Sequence, residues 1–192
     1  MEVIVSDGGS ADGSDKAALD SGAILVSGPR GRGGQLARGA AAASGSILLF
    51  LHADSSPEIG LLVAIRTAVA EGSDWGCASL RFDEDSPALR LIAWGSRARS
   101  YLSSICFGDQ GIWCRTSFYA ESSGFADIPL MEDVELSRRL RKRSRARTLP
   151  LTIVSSARRF RSGGVLRVFL RMKALQILYA IGVSPQKLAG LY

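Results

Sequence analysis

Several short stretches of this chain carry residues whose types could do chemistry together. The apolar run Val3-Ile4-Val5 ends at Ser6-Asp7 and passes at once into the turn formers of SDGGSADGS. A second run, Ala23–Val26, leads into SGPRGRGG, which sets Arg30 and Arg32 among glycines. A third, Ile47–Leu51, stops abruptly at His52-Ala53-Asp54, and farther on MEDVELSRRLRK places Glu132 and Asp133 ahead of a basic stretch. A carboxylate at a strand end suits a hard cation. Arginines and backbone N–H groups suit phosphate oxygens, and glycines allow close backbone approach. The first three stretches together describe a site for a nucleotide with a divalent metal. Singly, each has a plainer reading. Asp7 and Ser10 serve as turn and cap residues, Asp54 as a helix N-cap, Glu132-Asp133 as ordinary first-turn acids, and His52, the sole histidine, as a packing residue.

These stretches converge only if strands and helices alternate to bring them together, and the hydrophobic pattern predicts that they do. The strand Val3–Val5 is followed by a helix from about Asp15, and the strand Ala23–Val26 by a helix over GQLARGAAAASG closed by Gly45. Ile47–Leu51 is a continuous apolar run of the kind buried on both faces of a parallel sheet, and Pro57 is expected to open the next helix. This order predicts one α/β domain with a mainly parallel sheet. In such sheets ligands sit outside the carboxyl ends of the strands, where Asp7, the Arg30–Gly34 loop and His52–Asp54 all fall. Beyond them GCASLRF reads as a strand and Ala88 to about Ser104 as a helix. GDQGIWCR reads as a loop running into a strand, Met131–Lys142 as a helix, and Leu149–Val154 as a strand. Gly164–Ile181 is an apolar helix carrying Arg167 and Arg171 one turn apart.

Composition sets the outer bounds. With 192 residues, 46% hydrophobic and 22% charged, the chain can bury a sizeable core. The net charge of +6 favours acidic partners. Cys77, Cys106 and Cys114 lack C-x-x-C spacing and read as reduced thiols of a cytoplasmic protein, Cys106 and Cys114 in the core. Neither a signal peptide nor a membrane span is visible. The run RRLRKRSRAR invites a nucleic-acid reading. No RNP, KH, helix-turn-helix or zinc motif accompanies it, and its aromatics are not interleaved with the bases, so no nucleic-acid partner is expected.

VIVSDGGSADGS, GPRGRGGQLARGAAAASGSILLFLHADS, GDQGIWCR, GFADIPLMEDVELSRRLR and SARRFRSGGVLR occur in that order. This succession resembles family 2 glycosyltransferases of the GT-A fold, and more narrowly the bacterial subgroup labelled arsenosugar-biosynthesis glycosyltransferases. The resemblance covers nearly the whole chain. It implies an inverting, non-processive transfer of a sugar from a nucleotide-diphosphate sugar to an acceptor hydroxyl. It also implies a divalent metal, Mg²⁺ or Mn²⁺. Position by position, it implies that Asp7 contacts the nucleotide base, that Arg32 lies near the diphosphate, and that Asp54 contacts metal and diphosphate, with His52 departing from the usual D-x-D. Asp109 and Gln110 match a loop beside donor sugar and acceptor. Asp133 matches the general base, with Glu132 supporting it, and Arg158-Arg159 match a basic motif near the diphosphate.

Within a single domain over 1–192, the expected division is a nucleotide-binding half (1–57), an acceptor and catalytic half (76–162) and a C-terminal helical segment (163–192). The family's first strand and helix have no counterpart before Val3, so the resemblance implies an N-terminally truncated sheet, whether by a misassigned start, a fragment or a degenerate relative. A non-catalytic nucleotide-sugar-binding remnant is therefore the alternative reading. The acceptor is a small molecule or a lipid-linked one. The sharper reading of the 164–181 helix is peripheral contact with an anionic membrane, the inner membrane for a cytoplasmic protein.

Overall fold

The computed structural model describes all 192 residues. The elements run β1 (Ile4–Asp7), α1 (Ser14–Asp20), β2 (Ile24–Ser27), α2 (Arg32–Ala41), β3 (Ile47–Phe50), β4 (Ser55–Pro57), α3 (Leu61–Ala70), β5 (Trp75–Phe82) and α4 (Pro87–Ser103). A 3-10 turn at Gly108–Gln110 leads to β6 (Ile112–Arg115), α5 (Thr116–Glu121), α6 (Glu132–Leu140), β7 (Arg147–Ser155), α7 (Arg158–Gly163), α8 (Val165–Ala180) and α9 (Pro185–Ala189). No helix is long and apolar enough to cross a membrane.

The fold is α/β, a curled sheet flanked by helices, as the alternation of apolar runs predicts. The pairing differs from a mainly parallel sheet. β1 and β2 form a separate parallel ribbon, and β3-β6-β5-β7-β4 form a second sheet. Within the second sheet only β5 and β7 are parallel; β3–β6, β5–β6 and β4–β7 are antiparallel. The segment after α4 explains the reversal. Ser104 Oγ accepts from the Ala146 N–H, next to the start of β7. By Gly108 the chain has climbed back beside His52, just past the end of β3. β6 must then descend, antiparallel to both neighbours.

β6 divides the core with the period of a strand. Ile112 and Cys114 join Trp75, Leu136 and Leu140 on one face, while Trp113 joins Leu61, Ile65 and Ile153 on the other. β3, expected to be buried on both faces, is instead the edge of its sheet, and only Leu48 in it is fully buried. The facing edges of β1 and β3 are unpaired. A cavity of about 560 Å³ lies between them, lined by Val3–Ser6, Ile47–Leu51 and the Leu36, Gly39, Ala40 and Ala43 face of α2. Pro57 ends β4 rather than opening a helix. The Glu58 carboxylate accepts from the Thr152 N–H (2.8 Å) and Oγ1 (2.7 Å), which prolongs the pairing with β7. The helix begins only after Gly60, whose φ of 91° suits glycine.

Candidate active site

The first turn of α6 organises the site. Asp133 Oδ2 accepts from the Gly108 N–H (2.8 Å) and Oδ1 from the Val134 N–H (2.7 Å), so two backbone donors fix the carboxylate. Glu132 beside it is 3% exposed. Burial, then the charge of Asp133, push its carboxyl up to about 7. α2 docks here through Gly33: a Cβ at that position would collide with the Ala126 carbonyl, and it would stand 3.4 Å from Glu132 Cβ. That close approach delivers the neighbouring Arg32. Arg32 belongs to the first turn of α2, which starts two residues before the expected Gly34.

Arg32 and Arg159 line one small cavity, about 90 Å³, together with Glu132, Asp133, Phe107 and Tyr192. Neither guanidinium takes part in an ion pair. Burial, then the charge of Arg32, lower the pKa of Arg159, and the charge of Asp54 opposes them. Arg159 also stacks over the Tyr192 ring at 5.0 Å.

The GDQ turn is clamped from two sides. Gly108 gives its N–H to Asp133, and a Cβ on it would run into His52 Nε2. His52 is half-buried, and burial followed by the nearby Arg32 charge lowers its pKa. Asp109 carries a buried Oδ1 with no hydrogen-bond partner, and burial pushes its carboxyl up to about 6 against the opposing charge of Arg99. Gln110, expected beside donor and acceptor, is fully buried instead. Its Oε1 accepts from Arg99 Nη2 (2.6 Å) and the Phe107 N–H (3.2 Å), and its Nε2 donates to Ser100 Oγ (3.3 Å), which makes it a peg for the turn. Arg99 was not singled out in the sequence. It lies flat on Phe107, 3.3 Å from the ring centroid, and donates to Ile105 O (3.1 Å). An arginine inside an ordinary helix gives no sequence signal of such a role.

Other expected residues stand apart. The carboxylate of the half-buried Asp7 accepts from the Gly9 N–H (2.8 Å), the Ser10 N–H (3.0 Å) and Ser10 Oγ (2.6 Å). Those bonds, the Ser10 hydroxyl first, lower its pKa, and the geometry is that of a turn former. Asp54 is exposed, and its charge acts on both His52 and Arg159. Of the basic pair, Arg159 lines the cavity and Arg158 does not. No group of three or more His, Cys, Asp or Glu side chains could hold a metal.

No curated protein matches the sequence. Among solved structures, glucosyl-3-phosphoglycerate synthase from Mycobacterium tuberculosis, in complex with Mn²⁺, UDP and glucosyl-3-phosphoglycerate, is similar at 21% identity and a TM-score of 0.56, over 79% of this chain and 59% of that one. S. aureus TarS 1–349 is similar at 17% identity and a TM-score of 0.61, over 99% of this chain and 59% of that one. A mycobacterial protein matches at 20% identity and a TM-score of 0.55, over 81% of this chain and 54% of that one. The chain thus spans little more than half the length of these structures, and at such identities the likeness shows the fold. The model of the family described as glycosyl transferase family 2 matches residues 1–108. With more than half its length matched, the chain belongs to glycosyl transferase family 2.

Proposed function

We propose that the chain binds a nucleotide-diphosphate sugar and transfers the sugar, with inversion, to an acceptor hydroxyl. The observation that carries this reading is the pair of unpaired guanidiniums, Arg32 and Arg159, facing one cavity with the backbone-held Asp133. In the reaction the acceptor hydroxyl gives its proton to Asp133. Its oxygen forms the new bond to the anomeric carbon as the bond from that carbon to the diphosphate breaks. The diphosphate leaves with the electron pair, and Arg32 and Arg159 meet its developing charge. Glu132 supports this arrangement as a buried neighbour of the base, and Asp109 follows Gly108, whose N–H holds that base. Asp7 is assigned to the nucleoside, and Arg158 to the outer face of the diphosphate site.

The donor set fits a metal that arrives with the nucleotide. His52 and Asp54 are too few for a resident cage, but Mg²⁺ and Mn²⁺ accept one or two protein ligands when phosphate oxygens and water complete the shell. Asp54 would hold such an ion, which would add charge neutralisation at the diphosphate. The similar synthase structures contain Mn²⁺ with UDP, in keeping with that assignment. The proposed halves are 1–57 for the nucleotide and 76–162 for the acceptor. The C-terminal segment, 163–192, is proposed to meet a membrane surface from the cytoplasmic side. Leu166, Leu170, Ile177 and Ile181 are 70%, 56%, 62% and 73% exposed, and at about 100° per residue they share one face of α8. Calorimetric titration of a nucleoside diphosphate with and without Mn²⁺ tests the donor site. Tight binding that is lost in Arg32→Ala supports it, and absence of binding under both conditions overturns it.

A further inference from the structure

A third cavity lies between α4 and α8, and the proposed chemistry does not use it. It measures about 520 Å³, well within the range that encloses a small organic ligand. Leu80, Phe82, Ile92, Phe160, Val165 and Phe169 supply apolar lining, with the Phe82 and Phe160 rings in edge contact at 5.2 Å. The charged groups in its lining are Arg99, Asp109 and Lys173. Arg99 is spent on Ser96, Ile105 and Gln110. Lys173 Nζ donates to Gln176 Oε1 (3.3 Å) and sits over the Phe169 ring at 5.5 Å. Asp109 alone is left with an unpartnered oxygen.

We propose that this cavity receives the apolar body of the acceptor, which makes the acceptor an amphiphile with a hydroxyl at the end of an alkyl, isoprenyl or aromatic body. The inference rests on the transferase reading and names its acceptor class. Three observations carry it. The cavity shares Phe107, Met172 and Gln176 with the cavity that holds Asp133. Gly108, between Phe107 and Asp109, donates to Asp133, so a hydroxyl at this end of the cavity lies beside the base. The partnerless Asp109 oxygen is left desolvated unless a donor reaches it, and a hydroxyl is such a donor. The walls decide against a polyhydroxylated acceptor: sugar hydroxyls entering here would lose water and meet carbon. The lining also continues to the surface through Leu91, Trp94 and Leu166, exposed at 66%, 68% and 70%, so a long body has a way out.

The test uses 1-decanol and the fluorescence of Trp94, since the other tryptophans, Trp75 and Trp113, are 0% exposed. Saturable binding with a blue-shifted emission is expected for the unaltered protein. Gly95 lines the cavity within α4, and a Cβ added there meets nothing within 4 Å. Gly95→Leu should therefore fold, narrow the cavity and weaken decanol binding at least about tenfold, which corresponds to ~1.4 kcal/mol. The methyl ether of decanol, which has no donor for Asp109, should bind several-fold more weakly than decanol. No saturable response, or equal affinity in a folded Gly95→Leu, overturns the proposal. So does a response to decanol only when it is presented in vesicles, which would place the contact on the outer face of α8. Nucleoside diphosphate, titrated separately, should bind both proteins equally. Its failure to bind overturns the transferase reading, whereas failure of decanol overturns the cavity assignment.

Discussion

The proposed nucleotide half and the proposed acceptor half hold their carboxylates in different surroundings. In residues 1–57, Asp54 is exposed and Asp7 half-buried, and the hydrogen bonds of its own loop lower the pKa of Asp7. The buried apolar side chains there are few and small: Ala18, Ala23 and Leu48. In residues 76–162, Glu132 and Asp109 are pushed up to about 7 and about 6 by burial, beneath a core that holds Trp113, Leu136 and Leu140. Carboxylates that water reaches suit a half that waits for a cation and a nucleotide. Carboxyls that titrate near neutrality suit a half that moves a proton. The same residue type is assigned to different work by how much water reaches it.

Asp133→Asn should break the acceptor half most severely. A positioned general base contributes roughly 10²–10⁴-fold in rate, so sugar transfer should fall by about that factor while nucleotide affinity stays unchanged. Turnover and calorimetry on the same preparation check this. If Glu132→Gln silences the enzyme and Asp133→Asn does not, the base has been assigned to the wrong neighbour.

Packing gives the next largest contrast. Leu136 is 0% exposed within the larger core cluster, and Leu136→Ala should cost about 2–5 kcal/mol. Val5, half-buried in the isolated β1–β2 ribbon, should cost only about 1 kcal/mol when cut to alanine. Denaturant midpoints for the two variants measure the difference, and equal losses would mean that the ribbon is held as firmly as the main sheet.

Charge at the shared cavity comes third. Removing a hydrogen bond to a charged group costs about 1.5–3 kcal/mol, so Arg32→Ala or Arg159→Ala should weaken nucleoside diphosphate binding roughly 10- to 100-fold. Arg158→Ala should weaken it less than either, because Arg158 is assigned to the outer face of the site and does not line the cavity. An equal loss on all three would point to long-range field rather than contact.

How far the sequence disclosed this arrangement depends on whether the signal was local. The α4 and α8 helices and the acid-to-base order of α6 were legible because capping, period and dipole are written within one stretch. The pairing was not. Ile47–Phe50 reads the same whether its neighbour is parallel or antiparallel, and nothing in it says that it ends as an edge. Pro57 looks like a helix start until Thr152, distant in sequence, binds Glu58. In the candidate site, spacing and family resemblance singled out Asp133 and Arg32, and the fold brings both to one cavity. Gln110 looked like a ligand contact because GDQG cannot show that Arg99, Ser100 and Phe107 close around it.

The raised carboxyls make stability depend on pH in a predictable direction. Glu132 titrates near 4.5 when unfolded and at about 7 in the fold. A raised pKa means that its contribution is fully present below about 4.5 and is lost as pH rises through about 7. Asp109, at about 6, acts in the same direction over a lower window. Between pH 5 and pH 8 the protein should therefore lose on the order of 1–3 kcal/mol from Glu132, and Glu132→Gln should flatten that slope. Urea midpoints across the range decide it; an unchanged slope would mean that water reaches Glu132 after all.

The smallest effect belongs to Asp7, and it sharpens the comparison because its two readings predict different patterns. As a turn former, the carboxylate holds Gly9 and Ser10, and asparagine keeps the acceptor oxygen that this requires. As the contact to a nucleotide base, it loses its charge in Asp7→Asn, and nucleoside binding should weaken by a few-fold, about 1 kcal/mol for one exposed hydrogen bond. Binding of inorganic diphosphate should not change, since Asp7 lines neither the Arg32–Arg159 cavity nor the acceptor cavity. Asp54→Ala should show the reverse pattern, sparing the nucleoside and abolishing the gain in diphosphate affinity that Mn²⁺ confers. A nucleoside affinity unaltered in both Asp7→Asn and Asp7→Ala would leave Asp7 a loop residue. The nucleotide half would then recognise phosphate and metal without reading the base through this carboxylate.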